Sequence, residues 1–164
     1  MRFLEKSSST LNRFGLNKII VIATEYNKLY GIESISGKVL WQLYYPGDIA
    51  GNNQLYLLIQ RDGRTSGSAQ ATLVYKHKYS VYHLLTFDPM SGKHISDEPL
   101  NMHLDQALLL PEFSDHEIKP ILLIGKDGSA AVRPSSAAAC LKERVFLILS
   151  FLPCRLLSKL WGAR

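Results

Sequence analysis

Cysteine is scarce. Only Cys140 and Cys154 occur among 164 residues. Two are too few for a disulfide framework, and both stand too late in the chain to staple its body. Their separation fits no zinc-ligand spacing. The five histidines (His77, His83, His94, His103, His116) are scattered, with no HExxH or comparable cluster. GxSxG, P-loop and GxGxxG motifs are absent. Long apolar runs are missing too. The longest, Val145 to Leu152, has eight residues counting Ser150, whereas a bilayer-spanning helix needs about 20. Pro153 and Arg155 end it. At the start, Met1-Arg2-Phe3-Leu4-Glu5-Lys6 runs into Ser7-Ser8-Ser9-Thr10, without the apolar core of a secretory signal. These absences leave no recognisable catalytic motif, metal cluster, signal peptide or membrane span.

What is present is ordinary globular composition, 46% hydrophobic and 20% charged, which argues against a disordered or collagen-like chain. One domain is the prior at this length. The net charge of +5 is unevenly placed. Residues 1–132 hold 13 Lys/Arg against 13 Asp/Glu. The excess lies beyond them, in Arg133, Lys142, Arg144, Arg155, Lys159 and Arg164 against Glu143. A nucleic-acid role is therefore not expected of the body, which has no basic excess to offer phosphates.

The chain divides into a polar lead-in (1–16), a body of strands and turns (17–132), and a Ser/Ala joint followed by an apolar, basic tail (133–164). In the body, Lys18 to Thr24 is rich in β-branched residues and fits a strand buried on both faces. Leu29 to Glu33 follows, then a Ser36-Gly37-Lys38 turn in which Gly37 supplies a positive φ. In Val39 to Tyr44, Val39, Trp41 and Leu43 alternate onto one face. Pro46-Gly47 breaks the chain, and Leu55 to Ile59 is expected to close the unit as its fourth strand. The pattern restarts with Ala71 to Tyr75 and Val81 to Phe87, and with a second turn, Ser91-Gly92-Lys93, 55 residues after the first. A third start is expected at Ile121 to Ile124. That period suits four-stranded blades. The expected fold is all-β: a partial β-propeller of quinoprotein-like antiparallel blades, two and part of a third. A blade alone leaves apolar faces uncovered, so the body is expected to be a piece of a larger ring. The tail has two open readings, an amphipathic membrane-surface helix or a segment foreign to the natural fold.

The candidate chemistry is thin. Trp41 after a turn glycine suits docking between blades better than a quinone site, which needs a full ring and calcium. His103-Leu104-Asp105 and Asp115-His116-Glu117 stand in loop-like polar sequence and are expected to be solvated, not metal-binding. Asp62-Gly63 and Asp127-Gly128 are turn signals. Tyr44, Tyr45, Tyr56, Tyr75, Tyr79 and Tyr82 suit sheet packing better than base stacking. No catalytic, cofactor-binding or metal residue is therefore assigned.

The string Lys28-Leu29-Tyr30-Gly31-Ile32-Glu33-Ser34, then Ser36-Gly37 and Val39-Leu40-Trp41 through Tyr44 and Pro46, resembles the family of the large subunit, subunit one, of the endoplasmic reticulum membrane protein complex. Leu58-Ile59-Gln60-Arg61, Thr72-Leu73-Val74, Phe87-Asp88-Pro89, Gly92-Lys93, Leu108 to Pro111 and Leu122-Leu123-Ile124 support it. The resemblance runs over about residues 12–132 and stops near Arg133. It implies a lumenal β-propeller scaffold, not an enzyme, in a complex that inserts transmembrane segments into the endoplasmic reticulum membrane. The implied partners are the other subunits, with no cofactor, nucleic acid or small-molecule substrate. Membrane contact is implied only through the complete protein. The competing classes are a quinone-dependent dehydrogenase-like propeller and a small peripheral membrane protein acting through the basic tail.

Overall fold

The computed structural model describes residues 18–48, 54–63, 68–79, 81–111 and 118–136. The lead-in, Asp115-His116-Glu117 and the tail from residue 137 lie outside them, and with them both readings of the tail. The described residues form ten strands and no helix: β1 (Ile19–Thr24), β2 (Lys28–Glu33), β3 (Val39–Tyr44), β4 (Tyr56–Arg61), β5 (Gln70–Lys76), β6 (Tyr82–Phe87), β7 (His94–Leu100), β8 (Leu104–Leu109), β9 (Ile121–Gly125) and β10 (Ala130–Arg133). They build three antiparallel meanders: β1-β2-β3, β4-β5-β6-β7 and β8-β9-β10.

The grouping corrects the expectation for Leu55 to Ile59. This stretch does not close the first sheet. It opens the second, with Tyr56 opposite Val74 and Ile59 opposite Ala71. After β3 the chain crosses over: Tyr45 N–H donates to Asn27 of the first sheet at 3.0 Å, and Asp48 N–H to Lys76 of the second at 2.9 Å. Pro46, which has no N–H to give a ladder, stands between those two anchors. The third unit likewise begins at β8, ahead of Ile121.

The second sheet is the centre of the stack. Its β5 reads Gln-Ala-Thr-Leu-Val-Tyr-Lys, and all five interior residues are buried. Successive side chains of a strand point to opposite faces. Ala71, Leu73 and Tyr75 therefore meet Leu29, Tyr45, Trp41 and Leu43 from the first sheet and its exit, together with Leu85 and Phe87. Val74 points the other way, into Leu104, Ala107, Ile121 and Leu123 of the third sheet, with Leu84 and Leu100. Burying a Leu of this kind contributes roughly 1.5–3 kcal/mol, so each joint between sheets is a core in its own right. The outermost strand, β7, carries Asp97, Glu98 and Pro99, and such residues discourage further pairing along an open edge. The architecture is that of stacked blades in a partial β-propeller.

The two Ser-Gly-Lys turns fix how the sheets correspond. Aligning them sets β1, β2 and β3 against β5, β6 and β7. The first sheet then lacks a counterpart of β4 among the described residues. The third, which begins at β8 beside β4, lacks a counterpart of β7 among the same described residues.

Candidate functional site

The features able to carry function are the joints between sheets and the surfaces they leave open. Trp41 pins the first joint. Its indole crosses Gly31 on the neighbouring strand, where a Cβ would lie 2.1 Å from Cε2. The ring then reaches the β6–β7 turn of the second sheet, where a Cβ on Gly92 would lie 2.6 Å from Cδ2. Indole Nε1–H donates to the Pro89 carbonyl at 3.1 Å. The ring meets Phe87 edge-on, centroids 5.8 Å apart, an arrangement aromatic pairs favour. Trp41 thus docks between sheets.

A second fastening lies beside it. Asn27 is buried and holds a left-handed φ of 61°, a conformation Asn tolerates better than most residues. Its Nδ2 donates to the Gly47 carbonyl at 2.8 Å. Tyr45 reaches back to donate its hydroxyl to the Thr24 carbonyl at 2.6 Å. Burial pushes the Tyr45 phenol up to about 12, because an ionised phenolate would lose its water there.

The joint between the second and third sheets has a polar strip. Gln60, 3% exposed, is its hub. Gln60 Oε1 accepts from the Thr72 hydroxyl at 2.7 Å and from Gln70 Nε2 at 3.2 Å. Its Nε2 donates to the Lys119 carbonyl at 3.1 Å. The Thr72 and Thr86 hydroxyls lie 3.1 Å apart. These bonds satisfy groups whose burial would otherwise be costly. A cavity of about 490 Å³ opens beside them, lined among others by Ser96, Glu98, Ile118 and Arg133.

One cluster was not legible as a cluster in the chain. The His77 and His83 rings stack with centroids 4.8 Å apart. His83 Nδ1 lies 2.9 Å from Asp97 Oδ1, and the Tyr75 hydroxyl donates to Asp97 Oδ2 at 3.2 Å. Burial, then the neighbouring His83 and Lys78, hold the His77 imidazole below its ordinary pKa. Burial and then the Asp97 carboxylate raise the Tyr75 phenol. Only cross-strand register brings these residues together. Among the described residues no group of three or more His, Cys, Asp or Glu is arranged to hold a metal.

The remaining candidates fall as follows. His103 is exposed in the β7–β8 turn, but Leu104 and Asp105 stand in β8, with Leu104 fully buried. The expectation of a solvated loop is thus corrected for those two. Leu104 packs into the joint, and the Asp105 carbonyl accepts the Tyr56 hydroxyl at 2.9 Å. Asp62-Gly63 leads out of β4 as an exposed turn. Asp127-Gly128 turns between β9 and β10, with Gly128 at φ 84°, and hydrogen bonds from Ser129 lower the Asp127 pKa. Tyr45 and Tyr75 are buried, Tyr56 and Tyr82 half-buried, and Tyr44 and Tyr79 exposed.

A family described as the second β-propeller of ER membrane protein complex subunit 1 matches residues 15–151. This match runs past Arg133 and so extends the resemblance beyond the bound of about residue 132 expected from the sequence. ER membrane protein complex subunit 1 of Xenopus laevis is 31% identical over 126 residues, which cover 75% of this chain and 13% of that protein. The Gallus gallus protein of the same name is 33% identical over 129 residues, 76% of this chain and again 13% of its own length. The chain spans about an eighth of these curated relatives. A propeller family and a stack of antiparallel three- and four-stranded meanders agree, and the chain belongs to the family of subunit 1 of the endoplasmic reticulum membrane protein complex, at its second β-propeller.

Proposed function

We propose that this stretch serves as a non-catalytic scaffold on the lumenal side of the endoplasmic reticulum membrane protein complex, bracing a machine that inserts transmembrane segments. The observation that carries the reading is the use of chemistry-bearing side chains as fastenings. Trp41 pins one joint, and Gln60 with Thr72 ties the other. The Asp97, His83 and Tyr75 group closes on itself. The second sheet, whose strand β5 is buried on both faces, is a wall suited to transmitting position rather than to turnover. Its partners in this reading are the other subunits, and it takes up no small molecule, cofactor or nucleic acid.

The test uses a full-length subunit carrying this stretch. An N-glycosylation acceptor placed in the exposed Ser34 to Lys38 turn is expected to be glycosylated, which requires lumenal exposure. Affinity purification through a tag is expected to recover the other subunits. The Trp41→Ala variant is expected to reduce their recovery without abolishing membrane attachment. An unglycosylated acceptor overturns the lumenal placement. Stoichiometric uptake of calcium and quinone, read by calorimetry, overturns the non-catalytic reading.

A further inference from the structure

Strands β3 and β7 hold matching positions at the edges of their sheets, yet only β3 is fit to accept a further strand. The match runs residue by residue. In the turn before β7, Asp88 N–H donates to Lys93 O at 2.9 Å and Gly92 N–H to Asp88 O at 2.8 Å. In the turn before β3, Glu33 N–H donates to Lys38 O and Gly37 N–H to Glu33 O, both at 2.9 Å. Both strands then shift register just beyond the turn, β3 opposite Gly31 and Ile32, β7 opposite Thr86 and Phe87. With the turns 55 residues apart, Gln42 corresponds to Asp97 and Tyr44 to Pro99.

Register shows which backbone groups each strand leaves open. Along an antiparallel pair, residues that exchange hydrogen bonds with the partner alternate with residues whose N–H and C=O point away from it. Tyr45 N–H donates to Asn27 O. Leu43 opposite Leu29 and Trp41 opposite Gly31 therefore bond inward, while Gln42 and Tyr44 direct their backbone groups to the open edge. Among the described residues no strand pairs with that edge. On β7 the same two positions are closed. Pro99 has no N–H to offer, and Asp97 sets a carboxylate beside the edge. Strand β3, Val-Leu-Trp-Gln-Leu-Tyr, has neither charge nor proline, and Leu40 and Tyr44 are 47% and 65% exposed. An edge of this kind is a template for pairing with another chain.

We propose that the open edge of β3 pairs antiparallel with β3 of a second copy of this chain, about a two-fold axis at Leu43. Gln42 of one copy and Tyr44 of the other exchange both backbone hydrogen bonds, and the symmetry repeats the exchange on the far side of the axis. A two-fold interface has to be self-complementary, and this edge is. Leu43 meets Leu43 across the axis, and Gln42 meets Tyr44, so no like charges stand opposite one another. Residues 1–132 carry 13 Lys/Arg against 13 Asp/Glu, and the body therefore raises no net charge against its own approach. The contact is short, which sets the dissociation constant on the order of 0.1 mM, at the weak end for protein pairs. The inference stands on edge chemistry and is independent of the scaffold reading.

The test follows the full chain by sedimentation equilibrium from about 10 μM to about 1 mM, with amide hydrogen exchange read at both ends of that range. A monomer–dimer equilibrium is expected. The Gln42 and Tyr44 amides are expected to exchange about fourfold more slowly in the concentrated sample, as the dimer fraction rises. Tyr44→Pro and Gln42→Asp each install the residue that β7 carries at the matching position. Neither amide belongs to the ladder with β2, so the first sheet is expected to keep its fold in both variants. Tyr44→Pro removes one donor from each copy and is expected to weaken the dimer at least about tenfold. Tyr44→Phe, which keeps the donor, is expected to stay within about twofold. A monomer throughout the range, exchange at Gln42 and Tyr44 that ignores concentration, or a dimer that survives Tyr44→Pro, as one formed through another surface would, each overturns the proposal.

Discussion

Gly37 and Gly92 form a matched pair built into the molecule, and replacing each by alanine isolates what Trp41 contributes to the first joint. Both residues are left-handed, at φ 69° and 72°, so both substitutions carry the same backbone penalty of about 1–2 kcal/mol. Beyond that they differ. A Cβ at position 37 enters open space, whereas at position 92 it would meet three indole atoms at 2.6, 2.7 and 2.9 Å. The indole is confined, because its Nε1, Cε2 and Cζ2 atoms lie against Gly31. It must leave, giving up the bond to Pro89, worth about 1 kcal/mol, the edge contact with Phe87, worth about 0.5–1.5 kcal/mol, and part of its burial. Complete loss of a core Trp costs roughly 3–5 kcal/mol, and Trp41 is only partly buried. Gly92→Ala is therefore expected to cost about 2–3 kcal/mol more than Gly37→Ala. Urea unfolding reads the gap directly. With a slope of roughly 1–3 kcal/mol per molar for a small protein, the midpoints separate by about 1–2 M. In a Trp41→Ala background the two substitutions are expected to agree within about 0.5 kcal/mol. Equal midpoints in the unmodified background, or a gap that survives removal of Trp41, would refute the docking argument.

Three further outcomes follow from the other fastenings. Tyr45 has its folded pKa raised to about 12 from 10, so its contribution is complete below pH 10 and is lost as pH climbs towards 12. Two pKa units correspond to about 2–3 kcal/mol, and Tyr45→Phe should flatten that alkaline limb when stability is plotted against pH. Asn27→Ala gives up both the bond to Gly47 and a residue suited to φ 61°. It should lower stability by about 2–3 kcal/mol. Asn27→Gly, which keeps the backbone, should recover about half of that in chemical denaturation. Thr72→Val removes the donor to Gln60 at nearly constant volume and should cost about 1–2 kcal/mol. Amide exchange should quicken first along β4 and β5, and a loss confined to the first sheet would contradict the assignment of this strip to the second joint.

Much of this fold can be read from local pattern, and what cannot is non-local. Runs such as Ile19 to Thr24, Ala71 to Tyr75 and Ile121 to Ile124 declare themselves by β-branched or aliphatic density. The paired Ser-Gly-Lys turns announce a repeated unit, and the structure makes them hydrogen-bonded equivalents. Which strands share a sheet was less legible. Leu55 to Ile59 follows Val39 to Tyr44 in sequence, but ladder bonds are made in space, and its partner is β5. Strand β7 escaped recognition because His-Ile-Ser-Asp-Glu-Pro-Leu alternates poorly and contains a proline, as an outermost strand can. Strand β8 hid behind His103 and Asp105, although Leu104 and Ala107 are both buried. The Trp41 dock was foreseeable from a tryptophan four residues after a turn glycine. The meeting of His77, His83, Asp97 and Tyr75 was not, since it depends on hairpin register.

Strand β5 has a consequence for how damage spreads. Its odd-numbered residues from 71 to 75 report to one neighbour and its even-numbered ones to the other. Substitutions marched along it should therefore alternate in whom they injure: Leu73 loosens the upstream sheet, Val74 the downstream one. Parity along seven residues separates two faults that distance alone would blur, and drift at one seam can be repaired without disturbing the other.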